Sequence, residues 1–191
     1  MRKLTYYIAV TLDGYIAGPE GQYDFLPFEG EEAAAILADF PETMPTPARE
    51  PFGVADRAAQ RFDTVIMGRA TYDPGLKAGL TSPYAHLRQY VVSRTLVSPD
   101  PAVTVVSDPV ALVRELKQQD GMDIWLCGGG KLASALLDEI DELIIKRHSI
   151  VLGGGIPLFD GPFVPTNFVP AGTRAFDSGL TISTFTKAPA A

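Results

Sequence analysis

Three consecutive glycines, Gly128, Gly129 and Gly130, close the apolar run IWLC and are followed at once by Lys131, Leu132 and the segment ASALLD. Glycine lets the backbone turn sharply and approach a ligand with no Cβ in the way, and free N–H groups at a helix start attract phosphate. Gly128, Gly130 and Ala133 satisfy the Gly-x-Gly-x-x-Gly/Ala spacing of a dinucleotide-binding turn. By itself that spacing fits a tight strand-to-helix turn without ligand equally well. A nucleoside-triphosphate loop is excluded, because Lys131 follows the glycines directly and neither Ser nor Thr comes next. A doubly wound dinucleotide domain carries its fingerprint after the first strand, with an acidic residue about 20 positions on. Here the first strand leads into LDGYIAG, which lacks that spacing.

Two further strand ends carry groups suited to anions. In VIMGRATYD, residues 65 to 73, Gly68 ends an apolar run and Arg69 and Thr71 open a helix, offering a guanidinium and a hydroxyl. In VVSRTL, residues 91 to 96, Ser93 and Arg94 follow another apolar run. Each alone reads as a solvated turn. Together, three strand ends offering glycine, hydroxyl or guanidinium groups form a more specific set, because ligands of open α/β sheets collect at the carboxyl ends of the strands.

The elements that must hold these ends are readable from periodicity. LTYYIAVT, residues 4 to 11, is almost continuously apolar, aromatic and β-branched, which predicts a strand covered on both faces. LDGYIAGPEGQYD then reads as a loop. Glu29 to Phe40 is acidic at its start and rich in Ala and Leu after it, which predicts a helix. Pro41, Pro45, Pro47 and Pro51 end it and mark a surface excursion. From Asp63 onward, DTVIMG, QYVVS, AVTVVS and MDIWLC read as strands, PVALVRELKQQ and KLASALLDEI as helices, and ELIIKRHSIVL as a long strand. TNFVPAGTRAF and LTISTFTKA read as an antiparallel pair around Asp177, Ser178 and Gly179. The expectation is a single α/β domain over residues 1–191, with a mixed, mostly parallel sheet of about seven to nine strands.

Composition narrows the class. Hydrophobic residues at 46% and charged residues at 20% fit a globular chain. The net charge of −7 and the scattered Lys and Arg argue against nucleic acid or an anionic membrane as partner. Cys127 is the only cysteine, so neither an internal disulfide nor a cysteine zinc site is available, and a reducing cytoplasm is expected. Thr5, Thr11 and Asp13 interrupt the N-terminal apolar run, which therefore reads as a strand and not a signal core. His86 and His148 show no carboxylate–histidine metal pattern, so no metal is expected. Asp13 reads as a turn residue, Trp125 as core, and LGGGIPLF, residues 152 to 159, as a structural bend.

In order along the chain, YIAVTLDGYIAG, VIMGRATYD, VVSRTL and IWLCGGGKLASALL resemble the dihydrofolate reductase superfamily, and most closely the branch holding the reductase domain of riboflavin-biosynthesis deaminase-reductases. The resemblance runs from residue 3 to about residue 160 and is weak between residues 25 and 60. It implies a three-layer fold with a mostly parallel central sheet flanked by helices, and NADP as cofactor. By motif it implies that Ala9 and Ile16 flank the nicotinamide; Cys127 reads as a small buried hydrophobe whose place beside the glycines sets it near that ring. Gly68, Arg69 and Thr71 would grip the cofactor phosphates, and Ser93 and Arg94 the 2′-phosphate that selects NADPH. Gly128, Gly129, Gly130, Lys131 and Leu132 would form the turn beneath the pyrophosphate and nicotinamide. Folate-type members place a carboxylate on the first helix; Asp24 is the preferred match, ahead of Glu29, Glu31 and Glu32, since EGEE also reads as a charged helix start.

The leading expectation is an NADPH-dependent reductase passing a hydride to a small pterin, pyrimidine ribosylamine, or other carbonyl or imine substrate. The alternative is a catalytically idle NADP-binding module acting as a sensor or assembly partner, since the cofactor residues suit both. The resemblance and the prevalence of twofold symmetry imply a homodimer.

Overall fold

The computed structural model describes residues 1–189. Its strands are β1 (Leu4–Thr11), β2 (Tyr15–Ala17), β3 (Phe62–Gly68), β4 (Arg88–Val92), β5 (Val103–Val106), β6 (Asp123–Gly128), β7 (Glu142–His148), β8 (Ile156–Pro157), β9 (Phe168–Ala175) and β10 (Thr181–Lys187). The helices are α1 (Gly30–Asp39), α2 (Thr46–Arg49), α3 (Arg69–Lys77), α4 (Pro109–Lys117) and α5 (Gly130–Ala135).

Eight strands form one sheet in the order β5-β4-β3-β6-β1-β7-β10-β9. The pairings from β5 through β7 are all parallel, and β10 and β9 add antiparallel pairs at one edge. Alternation in the central strands sends side chains to two separate cores, because successive residues of a strand face opposite ways. Tyr6, Ile66 and Leu126 pack with Leu112, Val113 and Leu116 of α4 and Leu132 and Ala133 of α5. Tyr7, Val65, Met67 and Trp125 pack on the other face with Tyr72 of α3 and with Phe40, which follows α1. The result is the expected three layers. Trp125 is core, and its indole Nε1 donates to the Tyr7 carbonyl at 3.0 Å, joining neighbouring strands through a buried contact.

Helix ends follow local chemistry. Asp108 caps α4 by accepting from the Ala111 N–H at 3.0 Å, and Pro109 occupies the first turn, where its missing N–H costs nothing. The proline-rich excursion contains a 3-10 turn at Pro41–Thr43 and the short α2. It is pinned from inside by Glu42, fully buried, whose carboxylate accepts from the backbone N–H groups of Gln60, Arg61 and Phe62 at 3.1, 2.8 and 2.8 Å. Arg49, also buried, donates to the Pro41 and Arg57 carbonyls.

Three readings of the sequence need correction. The loop after β1 holds the short strand β2, which pairs antiparallel with β8. The helix after the glycines spans only Gly130–Ala135, and the chain beyond it turns toward β7. The long strand ELIIKRHSIVL ends at His148, because Leu12 N–H bonds to the Ile150 carbonyl and the Asp13 carboxylate accepts from Leu152 and Gly153. Those bonds draw residues 150 to 153 out of the sheet and onto the loop after β1.

Candidate active site

The carboxyl ends of β1, β3, β4 and β6 open into one cavity of about 1430 Å³. A pocket for a single drug-sized ligand occupies about 300–1000 Å³, so this one has room for a dinucleotide and a second small molecule. Ala9, Ile16, Gly68, Arg69, Thr71, Ser93, Arg94, Gly129, Gly130, Lys131 and Leu132 all line it. Of the residues expected to touch the cofactor, only Gly128 is not part of the wall; it is buried directly behind it.

The strand ends meet at close quarters. A Cβ placed on Gly129 would lie 3.7 Å from both Ile16 Cδ1 and Thr71 Oγ1. One placed on Gly68 would lie 3.4 Å from the Gly128 carbonyl and 3.5 Å from the Gly129 nitrogen. Residues far apart in sequence thus share a single concave surface with bare backbone at its centre. Gly128 has φ +124°, a region that favours glycine, and the Gly128–Gly129 peptide is cis. Gly130 is required for another reason. A Cβ there would stand 2.3 Å from the Pro157 carbonyl oxygen, because β8 presses backbone on backbone against the turn. Tyr6 reinforces that contact from below, donating from its hydroxyl to the Leu158 carbonyl at 3.1 Å.

The polar groups sit toward the open side. Arg69 is exposed and ion-pairs with Asp73 one turn along α3. Ser93 Oγ accepts from the N–H groups of Thr95 and Leu96 at 3.2 and 3.0 Å, which holds the turn after β4 in shape. Arg94 is exposed at that turn and, among the described residues, has no carboxylate partner. Lys131 is likewise exposed and unpaired within the same set. Arg69, Arg94 and Lys131 beside a glycine cradle, in a cavity that also carries Asp108, Asp160 and Lys146 and a broad apolar wall, suit a ligand with phosphates at one end and a flat ring at the other.

Asp24 is exposed and does not line the cavity, whereas its neighbours Tyr23 and Leu26 do. Glu29 and Glu31 are exposed, and Glu32 is buried but not part of the cavity wall. No carboxylate from the first helix therefore reaches the cavity. Among the described residues no group of histidine, cysteine and carboxylate side chains is arranged to hold a metal ion.

The inner end of the cavity holds residues to which pattern reading gave no site role, apart from Cys127, which it set near the nicotinamide. Tyr7, Met67, Tyr84, Trp125, Cys127 and Lys146 line it. Burial pushes the Cys127 thiol up to about 12, so it stays neutral at physiological pH. Burial also lowers the Lys146 ammonium to about 8. Its Nζ stands 3.9 Å from the centroid of the Tyr7 ring. A single lysine late in a strand carries no motif; only the pairing of β7 with β1, where Lys146 lies opposite Ala9, turns it inward.

A mostly parallel sheet with a late glycine turn and a cofactor-sized cleft at the strand ends defines an α/β fold of the dihydrofolate-reductase type. The chain belongs to the RibD C-terminal domain family, whose model matches residues 2–182. It is 35% identical over 184 residues to the uncharacterized protein YwjB of Bacillus subtilis, covering 94% of this chain and 95% of that one. It is 28% identical over 193 residues to the uncharacterized protein YyaP of the same organism, covering 94% and 92%. Among solved structures, a putative riboflavin biosynthesis protein from Shewanella sp. PV-4 matches with a TM-score of 0.71 and 27% identity, over 98% of this chain and 99% of that one. Acinetobacter baumannii RibD matches with a TM-score of 0.63 at 16% identity, a likeness of fold, over 98% of this chain and 58% of that one.

Proposed function

We propose that the protein is an NADPH-dependent reductase acting on a small carbonyl, imine or heterocyclic substrate, as its membership in a reductase-domain family suggests. The observation that carries this reading is the convergence of four strand ends on one cavity lined by the glycine turn, Thr71, Arg69 and Arg94. The residues fit the cofactor: the bare backbone of Gly129 leaves the space between Ile16 and Thr71 that a Cβ would fill. Gly68, Arg69, Thr71, Gly129, Gly130 and Lys131 would hold the pyrophosphate, Ser93 and Arg94 the 2′-phosphate, and Ala9, Ile16 and Leu132 the nicotinamide end. The bound dinucleotide would supply the hydride, and the protein supplies position, electrostatics and exclusion of water. Arg94 favours NADPH over NADH because an unpaired guanidinium gains a charge-assisted contact from the additional phosphate.

Trp125 is the chain's one tryptophan and lines the cavity, so its fluorescence reports binding directly. Titration with NADPH and with NADH is expected to show quenching by both and tighter binding of NADPH. Equal affinities would overturn the assignment of Ser93 and Arg94, and no binding would overturn the reductase reading. NADPH binding without oxidation across a panel of aldehydes, imines, pterins and pyrimidine ribosylamines would favour an idle NADP-binding module. The proposal also places the protein in the cytoplasm as a homodimer. Strand β9 is an almost wholly exposed sheet edge with Phe163, Val164 and Val169 exposed beside or on it. Light scattering giving a monomer mass would remove the dimer.

A further inference from the structure

Lys146 is a cation at the inner, aromatic end of the cavity, and the cofactor reading gives it no task. Among the described residues its Nζ makes neither an ion pair nor a hydrogen bond, and its nearest defined partner is the face of Tyr7. The groups around it do not neutralise it. From β6, Cys127 is held protonated by burial, and so is the hydroxyl of Tyr84, which borders Cys127. From β1, Tyr7 is likewise held protonated by burial. On β7 itself, His148 is kept toward its neutral form by burial and by the Lys146 charge. Glu32 of α1 acts electrostatically on His148, but it forms no ion pair with Lys146 and lies outside the cavity wall. A half-buried cation with no counter-charge is costly, and a cation–π contact recovers only part of that cost.

We propose that this end of the cavity binds a planar ring bearing an anionic oxygen, with that oxygen docked on the Lys146 ammonium and the ring against Tyr7, Tyr84 and Trp125. A ligand anion supplies the counter-charge that the protein lacks. The aromatic and thiol walls supply flat apolar contact and offer no carboxylate to a cationic or donor-rich ring. Lysine only donates, so a protonated heterocycle is disfavoured and a carboxylate or an enolate is preferred. Ala9 is the register partner of Lys146 and lies on the same face of the sheet, so a ring held by Lys146 lies beside the residue matched to the nicotinamide. The inference rests on the reductase reading for that neighbour, and it names the acceptor class of the same site.

The test uses benzoate and its neutral isostere benzamide as probes, titrated by calorimetry into the full-length protein, free and loaded with NADP+. Benzoate is expected to bind at least about tenfold more tightly than benzamide, the range of a hydrogen bond to a charged group. Lys146→Met should abolish that preference while leaving NADP+ affinity unchanged, and Lys146→Arg should restore part of it. In the wild-type protein, benzoate affinity should fall as pH rises through about 8, where the ammonium deprotonates; this arm needs no variant and survives a failure of Lys146→Met to fold. Equal affinities for the two probes, no benzoate binding at millimolar concentration, or a preference that persists in a folded Lys146→Met would each overturn the proposal. Lys146-dependent benzoate binding in a protein that fails to bind NADP+ would sink the reductase reading and leave the anion site standing. NADP+ binding without benzoate preference would do the reverse.

Discussion

The Pro157 carbonyl occupies the space that a side chain on Gly130 would need, with its oxygen 2.3 Å from the ideal Cβ position. The partner atom is backbone, held in the β2–β8 pair, so it has little freedom to retreat. Gly130→Ala is expected to lower stability by about 1–3 kcal/mol, the usual range for inserting a methyl group into a filled space, and to weaken NADPH binding by distorting the turn. Gly154→Ala is the matched control, because a Cβ there meets nothing within 4 Å. It should change stability by less than about 0.5 kcal/mol. Chemical denaturation and the Trp125 titration measure both effects.

Arg94 and Arg69 line the same cavity but differ in partners, since Arg69 is already engaged by Asp73. Arg94→Ala is expected to weaken NADPH binding by on the order of 1.5–3 kcal/mol, the worth of a charged hydrogen bond, and to leave NADH nearly unchanged. Arg69→Ala should weaken both cofactors alike, because the phosphates proposed for it are common to both. A loss of equal size for NADPH and NADH in Arg94→Ala would remove it from the 2′-phosphate.

At the opposite ends of the strands the charges serve stability. The Arg2 side chain is 2% exposed, and it ion-pairs with Asp63 and donates to Thr64 and to the Met122 carbonyl. Asp63 also accepts from the Met122 N–H at 2.8 Å. Asp63→Ala leaves a buried guanidinium without its counter-charge, so a loss of about 3–5 kcal/mol is expected. Cofactor affinity at a temperature where the variant is folded should stay within error, because this network and the cavity occupy opposite ends of the sheet. A cofactor defect in folded Asp63→Ala would contradict that separation.

The sequence was most informative where the backbone itself carries the requirement. Gly68, Gly129 and Gly130 mark the strand ends, Gly130 because the Pro157 backbone leaves no room there for a side chain, and the apolar runs before them announce the strands. It was least informative where one residue acts through a distant neighbour. Glu42 looks like a solvated charge in a proline-rich loop, yet it is buried and satisfies three backbone N–H groups from residues 60 to 62. Lys146 looks like a polar residue near a strand exit, and only the lateral pairing with Ala9 brings it into the cavity. Strands β2 and β8 span three and two residues, too short for any periodicity to register. Asp24 is the opposite case. Its place after the loop matched a resemblance, but nothing in the chemistry around it required a buried carboxylate, and it lies at the surface.

Lys146 also has a stability signature that is independent of any ligand. Burial lowers its ammonium from 10.5 to about 8, so between those values the folded state binds fewer protons than the unfolded chain. Stability due to this group therefore rises with pH across that window, because the unfolded state holds the additional proton. Below about 8 the lysine is charged in both states and its full burial cost is present; above about 10.5 it is neutral in both and the cost is gone. Lys146→Met should accordingly be more stable than the wild type at pH 7, by on the order of 1–3 kcal/mol once the water admitted by the cavity is discounted. The advantage should shrink steadily between about pH 8 and 10.5. The difference between the two proteins is the quantity to follow, because Cys127, held protonated in the fold, lowers the stability of both as the unfolded thiol ionises. Paired urea denaturation at several pH values measures it. A constant difference across the window would mean that the ammonium is as well solvated in the fold as in the open chain.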